Sequence, residues 1–168
     1  MKPGFLIFSF LLPLGLFSQK PHIDHLRKIL PLLKDSARID SMNELSQQYI
    51  EQSVKDSAEY YAISAYNMSA ALHYIHGLAV SVSRQGNMKT YFYGNLSEAE
   101  KLDKEAIGLY QKSANKTGLA ATYDHLAFAC FGQSKYDEAL KYSDESYAVY
   151  KKNQDETGMT GILGLITQ

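Results

Sequence analysis

The sequence has no tryptophan, a single cysteine and only four prolines among its 168 residues. One cysteine cannot form an intramolecular disulfide, so packing must hold the fold together. Lys and Arg (17) nearly balance Asp and Glu (18) and are scattered, which excludes a basic nucleic-acid-binding surface and an acidic tail. No phosphate-binding loop, zinc-protease motif or hydrolase nucleophile motif occurs. A soluble chain of about one domain, with 45% hydrophobic residues, is predicted.

One long apolar run is present, at the amino terminus. Lys2 precedes apolar residues 5–17, and Ser18 closes the run before a polar stretch. This arrangement is typical of a secretory signal peptide. A membrane anchor needs about 20 apolar residues, and it is less favoured because the run is shorter and contains Pro13. We therefore predict that residues 1–18 are removed on export to the periplasm or the medium.

Three segments of the remaining chain share one pattern at intervals of about forty residues. Each is anchored by an alanine, at Ala58, Ala99 and Ala139, with a large residue three positions later and a small one seven positions later. These steps trace one face of an α-helix. The small residues let another helix approach closely while the large ones fill the space beside them. The pattern predicts one structural unit written three times.

Glycine recurs in the connectors between these units, at Gly77, Gly118 and Gly158. We predict that each glycine ends a second helix, where a left-handed residue is needed. A first helix fits between each connector and the next anchor alanine. Pairs of helices are thus predicted over residues 36–69, 78–113 and 118–152.

Both ends of the array differ from the units between them. Residues 19–34 predict a short capping helix that ends near Pro31. Four of its residues share an apolar face directed at the first unit: Ile23, Leu26, Ile29 and Leu30. Residues 157–168 predict the opening of a fourth unit. We therefore expect the sequence to be the amino-terminal part of a longer protein.

The unit resembles the tetratricopeptide repeat. In the third copy the family pattern is matched by Tyr123, Leu126, Ala127, Tyr136 and Ala139. The second copy keeps Gly86 but carries one extra residue, and the family's closing proline is missing throughout. The resemblance implies an all-α fold, an α-solenoid of antiparallel helix-turn-helix repeats over residues 35–168. About three repeats, at 36–76, 77–116 and 117–156, are followed by a partial fourth. The implied packing positions are Leu45, Tyr49, Ala58, Ala65, Ala99, Ala106, Leu126 and Ala139.

The same resemblance implies a binding surface. Stacked hairpins form a superhelix whose concave side is lined by the first helices, a groove suited to a peptide or a segment of a partner protein. Six side chains are implied to face that groove: Asn43, Gln47, Ser83, Asn87, Asp124 and Phe128. The alternative is that these side chains are merely solvated.

Few residues suggest chemistry. Cys130 lies in an apolar run, which favours a buried, inert thiol. His22 and His25, like His73 and His76, are three residues apart, but no third ligand lies near either pair. His125 follows Asp124, and adjacent helical residues point apart. No catalytic, metal-binding or cofactor-binding residue is predicted, and an enzyme with an unrecognised helical active site is the least favoured class.

A further resemblance concerns the whole array. The leader, the phrase DSARIDSMNELSQQY and second helices rich in tyrosine are similar to periplasmic sensor regions of Gram-negative histidine kinases and helix-turn-helix regulators. That resemblance implies the sensory part of a signal-transduction protein, with a kinase or regulator module beyond residue 168. A free-standing periplasmic or secreted adaptor is the alternative.

Overall fold

A computed structural model describes residues 15–114 and 116–159. The predicted leader up to residue 14 and most of the predicted fourth repeat, residues 160–168, lie outside this part. The described residues form α-helices and one 3₁₀-helix, with no strand among them. The α-helices are α1 (Gly15–Ile29), α2 (Asp35–Glu51), α3 (Lys55–Ala71), α4 (Ile75–Tyr91), α5 (Leu96–Lys112), α6 (Leu119–Gly132) and α7 (Tyr136–Lys152). The predicted all-α class is confirmed.

The helices pack as three successive hairpins, α2 with α3, α4 with α5, and α6 with α7. The first helices also contact one another, because α4 touches both α2 and α6. The buried apolar residues form four clusters along the array rather than one central core. Each hairpin is thus stabilised by its neighbours, as in other helical repeat proteins. The predicted α-solenoid is confirmed.

Small residues lie where the helices come closest. Ala58, Ala65, Ala99 and Ala106 are fully buried, and Ala139 is nearly so. Leu45 and Leu126, the large partners on the first helices, have no exposed surface. Tyr49 is partly buried and stacks on Tyr61 with ring centroids 5.7 Å apart. Every implied packing position therefore lies inside the array or at its edge.

The turns after α2, α3, α6 and α7 each contain a left-handed residue that is not a glycine, whereas Gly94 takes this conformation after α4. Ser53, His73, Ser134 and Gln154 have φ angles of 58°, 52°, 61° and 57°. In the turn after α2, the amide of Val54 donates a hydrogen bond to the carbonyl of Tyr49 at 2.8 Å. This is the 6→1 bond of a Schellman ending. Serine, histidine and glutamine are less favourable than glycine in this conformation. The short connection between packed helices therefore imposes the left-handed backbone at these positions.

The regular spacing of the connector glycines has a different cause. Gly77 lies inside α4, and a Cβ there would overlap the hydroxyl of Ser69 and the ring of Tyr74. Gly118 precedes the first residue of α6 with φ of 94°, a conformation that suits glycine. The prediction that these glycines end the second helices is therefore wrong. They mark the start of the following first helix, where backbone approaches side chains closely.

The short helix α1 covers the first hairpin. Ile23 and Leu26 are buried against Leu45, and the chain then forms the 3₁₀-helix Leu30–Leu32 around Pro31. Proline lacks an amide donor, which accounts for the end of α1 just before it. This amino-terminal helix shields apolar surface that the first repeat would otherwise expose.

Asp103 is an unusual member of the interior. It lies on α5 against Gly86 of α4, where a Cβ would be only 2.6 Å from its Oδ1 atom. The side chain is fully buried, and neither oxygen has a hydrogen-bond partner among the described residues. Burial raises the pKa of this carboxyl well above its ordinary value of 3.8. Compared with the unfolded chain, the folded protein therefore favours the protonated, uncharged form of the Asp103 carboxyl.

The small contact positions allow a test of the packing register. Replacing Ala99 or Ala139 with leucine is expected to lower the free energy of unfolding by about 1–3 kcal/mol, because the added atoms overpack the helix contact. Lys141→Ala, on the exposed side of α7, should change it by less than about 0.5 kcal/mol. Urea unfolding followed by circular dichroism measures both. Equal losses at the two kinds of position would contradict the register.

Asp103 predicts a pH dependence of stability. A buried acid with a raised pKa binds its proton more tightly in the folded state, so its contribution to the free energy of unfolding falls as pH rises above 3.8. Asp103→Asn should therefore be more stable than the wild type at pH 7, with a difference that narrows towards pH 4. Asp144→Asn, on the exposed side of α7, serves as the control. If the free energies of unfolding of Asp103→Asn and the wild type differed by the same amount at pH 4 and pH 7, ionisation of Asp103 would have no effect on stability.

Candidate functional site

Three of the six implied groove residues are buried between neighbouring first helices. Asn43, Ser83 and Asn87 each have only 3% of their surface exposed. Their side chains bridge the stack of first helices. Asn43 donates to the carbonyl of Gly77 at 3.4 Å, and the Ser83 and Thr122 hydroxyls lie 2.9 Å apart. The prediction that these three side chains are presented to a partner needs correction, because their polar groups are used to join adjacent repeats.

The other implied residues differ in accessibility. Gln47 is partly buried and donates along its own helix to Glu51 at 2.8 Å. Asp124 is partly buried on α6, and Phe128, one turn later on the same helix, is 48% exposed. Phe128 is the most accessible of the six. Surface for a partner therefore concentrates at the carboxyl-terminal half of α6.

A cavity of about 230 Å³ opens at this place between α4 and α6. We call it the α4–α6 pocket. It is lined by Asn87, Thr90, Tyr91, Asp124, His125 and Phe128. Tyr91 is 66% exposed, so two aromatic rings border the opening while the polar groups lie deeper. The geometry brings together three of the implied groove residues, Asn87, Asp124 and Phe128.

Asp124 supplies the acidic group of the α4–α6 pocket. The hydroxyl of Tyr150, on α7, donates to its Oδ2 atom at 3.1 Å. Burial raises the pKa of Asp124 above its ordinary value, while the hydrogen bonds from Ser146 and Tyr150 act in the opposite direction. This partly buried carboxylate is thus costly to ionise without a cation, and Tyr150 fixes its direction.

His125 is a neutral member of the same pocket. The Nδ2 atom of Asn87 lies 3.4 Å from His125 Nε2, so the amide can donate to that ring nitrogen. Burial, together with the charge of Arg84, lowers the pKa of His125 to about 4. In that arrangement the proton of the neutral ring is on Nδ1. His125 Nδ1, Asn87 Oδ1 and Thr90 Oγ1 are buried without partners in the part of the chain that is described.

Sequence reasoning missed three members of the pocket. Thr90 and Tyr91 follow Asn87 by three and four positions, a spacing that places them beside it on one helix face. This signal was available in the sequence. His125 was not predicted to act together with Asp124, because adjacent residues of a helix point apart. Both residues nevertheless line the pocket.

A second group resembles a metal site without matching the histidine pairs noted in the sequence. Ligand atoms of Glu100, Cys130 and Glu138 lie within 4.8 Å of one another. The Glu100 carboxylate already accepts from Lys104 and Lys135, both at 2.7 Å, which lowers its pKa to about 2. Burial and the two carboxylates raise the pKa of the Cys130 thiol to about 11. The thiol is therefore protonated at neutral pH and unsuited to a nucleophilic role.

A shallower cavity of about 270 Å³ lies at the amino-terminal end. Arg27 of α1, Tyr49 of α2 and Tyr60 of α3 are among the residues that line it. It is formed where the capping helix meets the first hairpin.

Within residues 15–114 and 116–159, no helix has both the length and the apolar character required to span a membrane.

Fold and surface together define an α-helical repeat protein whose first helices offer a small aromatic and acidic pocket. Residues 91–152 match the family model described as Tetratricopeptide repeat. The matched segment runs from the last residue of α4 to the last residue of α7 and includes Tyr91, Asp124, His125 and Phe128. No curated protein matches the chain. The match supports a tetratricopeptide repeat protein, and so a scaffold for protein–protein interaction.

Proposed function

We propose that this protein is a non-catalytic scaffold that binds a peptide or a segment of a partner protein across its first helices, with the α4–α6 pocket at the centre of contact. The α4–α6 pocket is the observation that carries the proposal. It is concave, it lies between two repeats, and two exposed aromatic rings border it. Aromatic side chains of this kind often dominate the energy of protein interfaces.

The polar bridges beneath the pocket favour a rigid surface. The hydroxyls of Ser83 and Thr122 join α4 to α6, so the separation of the two helices is set before a partner arrives. Binding then orders few groups of the scaffold itself, which reduces the entropic cost of association. A segment lying across α4 and α6 would also contact more than one repeat, as an extended peptide does in other solenoids.

Substitution of the exposed rings tests this function. The combined change Tyr91→Ala and Phe128→Ala should weaken capture of a partner by about tenfold or more, because it removes both aromatic anchors. Each single change should have a smaller effect. Tyr60→Ala on α3 is a matched control, since Tyr60 is 65% exposed and lies on a second helix.

The measurement uses a photo-reactive amino acid placed at position 128 or position 60 in cells that make the protein. We expect a defined crosslinked partner at position 128, and its loss when Tyr91 is also replaced by alanine. Crosslinks at position 60 that persist, with none at position 128, would move binding to the second helices. A folded double variant that keeps its full affinity would contradict the groove assignment.

We further propose that the protein is exported and that residues 1–18 are a cleaved signal peptide. This interpretation is supported by Lys2, by the apolar run over residues 5–17 and by the small residue Ser18 at the boundary. Helix α1 begins at Gly15, so cleavage after Ser18 would shorten it while retaining Ile23 and Leu26, the residues that cover the first hairpin. In this proposal the array is the periplasmic sensory part of a signal-transduction protein; a free-standing adaptor is the second candidate.

Mass spectrometry of the protein recovered from the periplasm or medium tests export. The expected amino terminus is Gln19. A protein that retains residues 1–18 in the membrane fraction would favour an anchor instead. The reading frame beyond residue 168 separates the two functional candidates, because a membrane span followed by a kinase or regulator module is expected only for the sensor.

A further inference from the structure

The α4–α6 pocket contains a carboxylate that has no cationic partner among the described residues. Ion pairs in that part of the chain join His22 to Glu44 and join Lys104 and Lys135 to Glu100. None of them involves Asp124, whose Oδ2 atom accepts from the neutral hydroxyl of Tyr150. A partly buried carboxylate gains most from a cation that arrives with its own hydrogen-bond donors.

Aromatic rings stand next to this carboxylate. Phe128 lies one helical turn after Asp124 on α6, and Tyr91 faces the same cavity from α4. Both residues are about half exposed or more, so a ligand can reach their rings. Cations are attracted to the faces of aromatic rings, and a planar guanidinium also stacks on them. An aromatic border around an acidic group therefore favours a cationic ligand over an anionic or purely apolar one.

Two of the remaining polar atoms in the pocket suit the same ligand chemistry. Asn87 Oδ1 and Thr90 Oγ1 can each accept a hydrogen bond, and neither has a partner among the described residues. Both atoms are covered in the free protein, so a small rotation of their side chains must accompany binding. A guanidinium group carries five donors in a fixed plane and could use several acceptors at once. An ammonium group has three donors and stacks less well.

Arg84 is the cation of the scaffold whose charge reaches His125 in this pocket. Arg84 lies on α4 one turn before Asn87, and its charge contributes to the lowered pKa of His125. Arg84 does not line the α4–α6 pocket, and its charge also interacts with Glu51 and Tyr110 on other helices. His125 remains neutral, so it adds no positive charge to the pocket wall. Asp124 is then the one ionisable acid or base besides Tyr91 and His125 among the described residues that line the cavity.

We propose that the α4–α6 pocket receives the guanidinium group of an arginine in the partner segment, with Asp124 as its counter-charge and the rings of Tyr91 and Phe128 as its walls. This inference rests on the proposed function, because it names the chemistry of the segment that the first helices bind. The cavity of about 230 Å³ fits one long side chain, since pockets for whole small molecules span about 300–1,000 Å³.

Selection from a random peptide library tests the proposal and requires no identified partner. Displayed dodecapeptides are selected on the purified full chain, on Asp124→Asn and on the exposed-surface control Asp144→Asn. Arginine should be enriched at one position of the peptides selected by the wild type and by the control. Asp124→Asn should lose that enrichment, because asparagine keeps the shape and an acceptor for Tyr150 but removes the charge.

A chemical change in the peptide then isolates the guanidinium group. The best peptide is synthesised with arginine, with lysine or with citrulline, which is nearly isosteric with arginine and uncharged. Affinity for the wild type should fall about tenfold on exchange of arginine for citrulline, and by less for lysine. The same exchange should change affinity for Asp124→Asn by less than about threefold. Because each protein serves as its own reference, a small loss of stability in the variant does not affect this ratio.

The outcomes separate this inference from the proposed function. Peptides enriched in apolar residues without arginine, and dependent on Phe128, would retain the groove and overturn the arginine subsite. Arginine enrichment that persists in Asp124→Asn, or an equal citrulline effect in both proteins, would also overturn it. Selected peptides that bind Tyr91→Ala with Phe128→Ala as well as the wild type would overturn both. A library that yields no binder would count against both.

Discussion

Close approach of helices at alanine and glycine positions is the constraint on which this structure depends. Ala58, Ala65, Ala99 and Ala106 are fully buried, and Gly86 leaves room for Asp103 from the next helix. Helices in contact through such small residues bury their neighbours' larger side chains in the flanking space. The array has no disulfide to compensate for lost packing, since Cys130 is its one cysteine. Stability therefore depends on the packing of each hairpin against the next.

The central repeat shows how a polar sequence can be accommodated in such an array. Helix α4 contains two serines, two glycines and one asparagine, and it lies between α2 and α6. The hydroxyl of Ser83 and the amide of Asn87 find partners on α6, which offsets much of their desolvation. Several of the atoms that remain unpaired gather at the α4–α6 pocket, where a ligand can reach nearby groups. The arrangement links the stacking of repeats to the position of the binding surface.

Prediction from the sequence was most successful where periodicity carries the information. The anchor alanines and the large residues beside them place the three hairpins, because burial of one face must follow the helical repeat. The ends of helices were less predictable. Serine, histidine and glutamine adopt the left-handed turn conformation, whereas glycine would be the local preference. The needs of a short connection between packed helices override that preference.

The amino-acid sequence by itself determined the helical class, the length of the repeated unit and the residues at which helices meet. These properties follow from local spacing, which every copy of the unit repeats. Only the tertiary structure decided which polar residues of the first helices are free. Asn43, Ser83 and Asn87 are polar residues of the first helices, yet neighbouring repeats cover them. Phe128 stays accessible on α6, and the α4–α6 pocket exists because residues nearly forty positions apart face one another across two stacked helices.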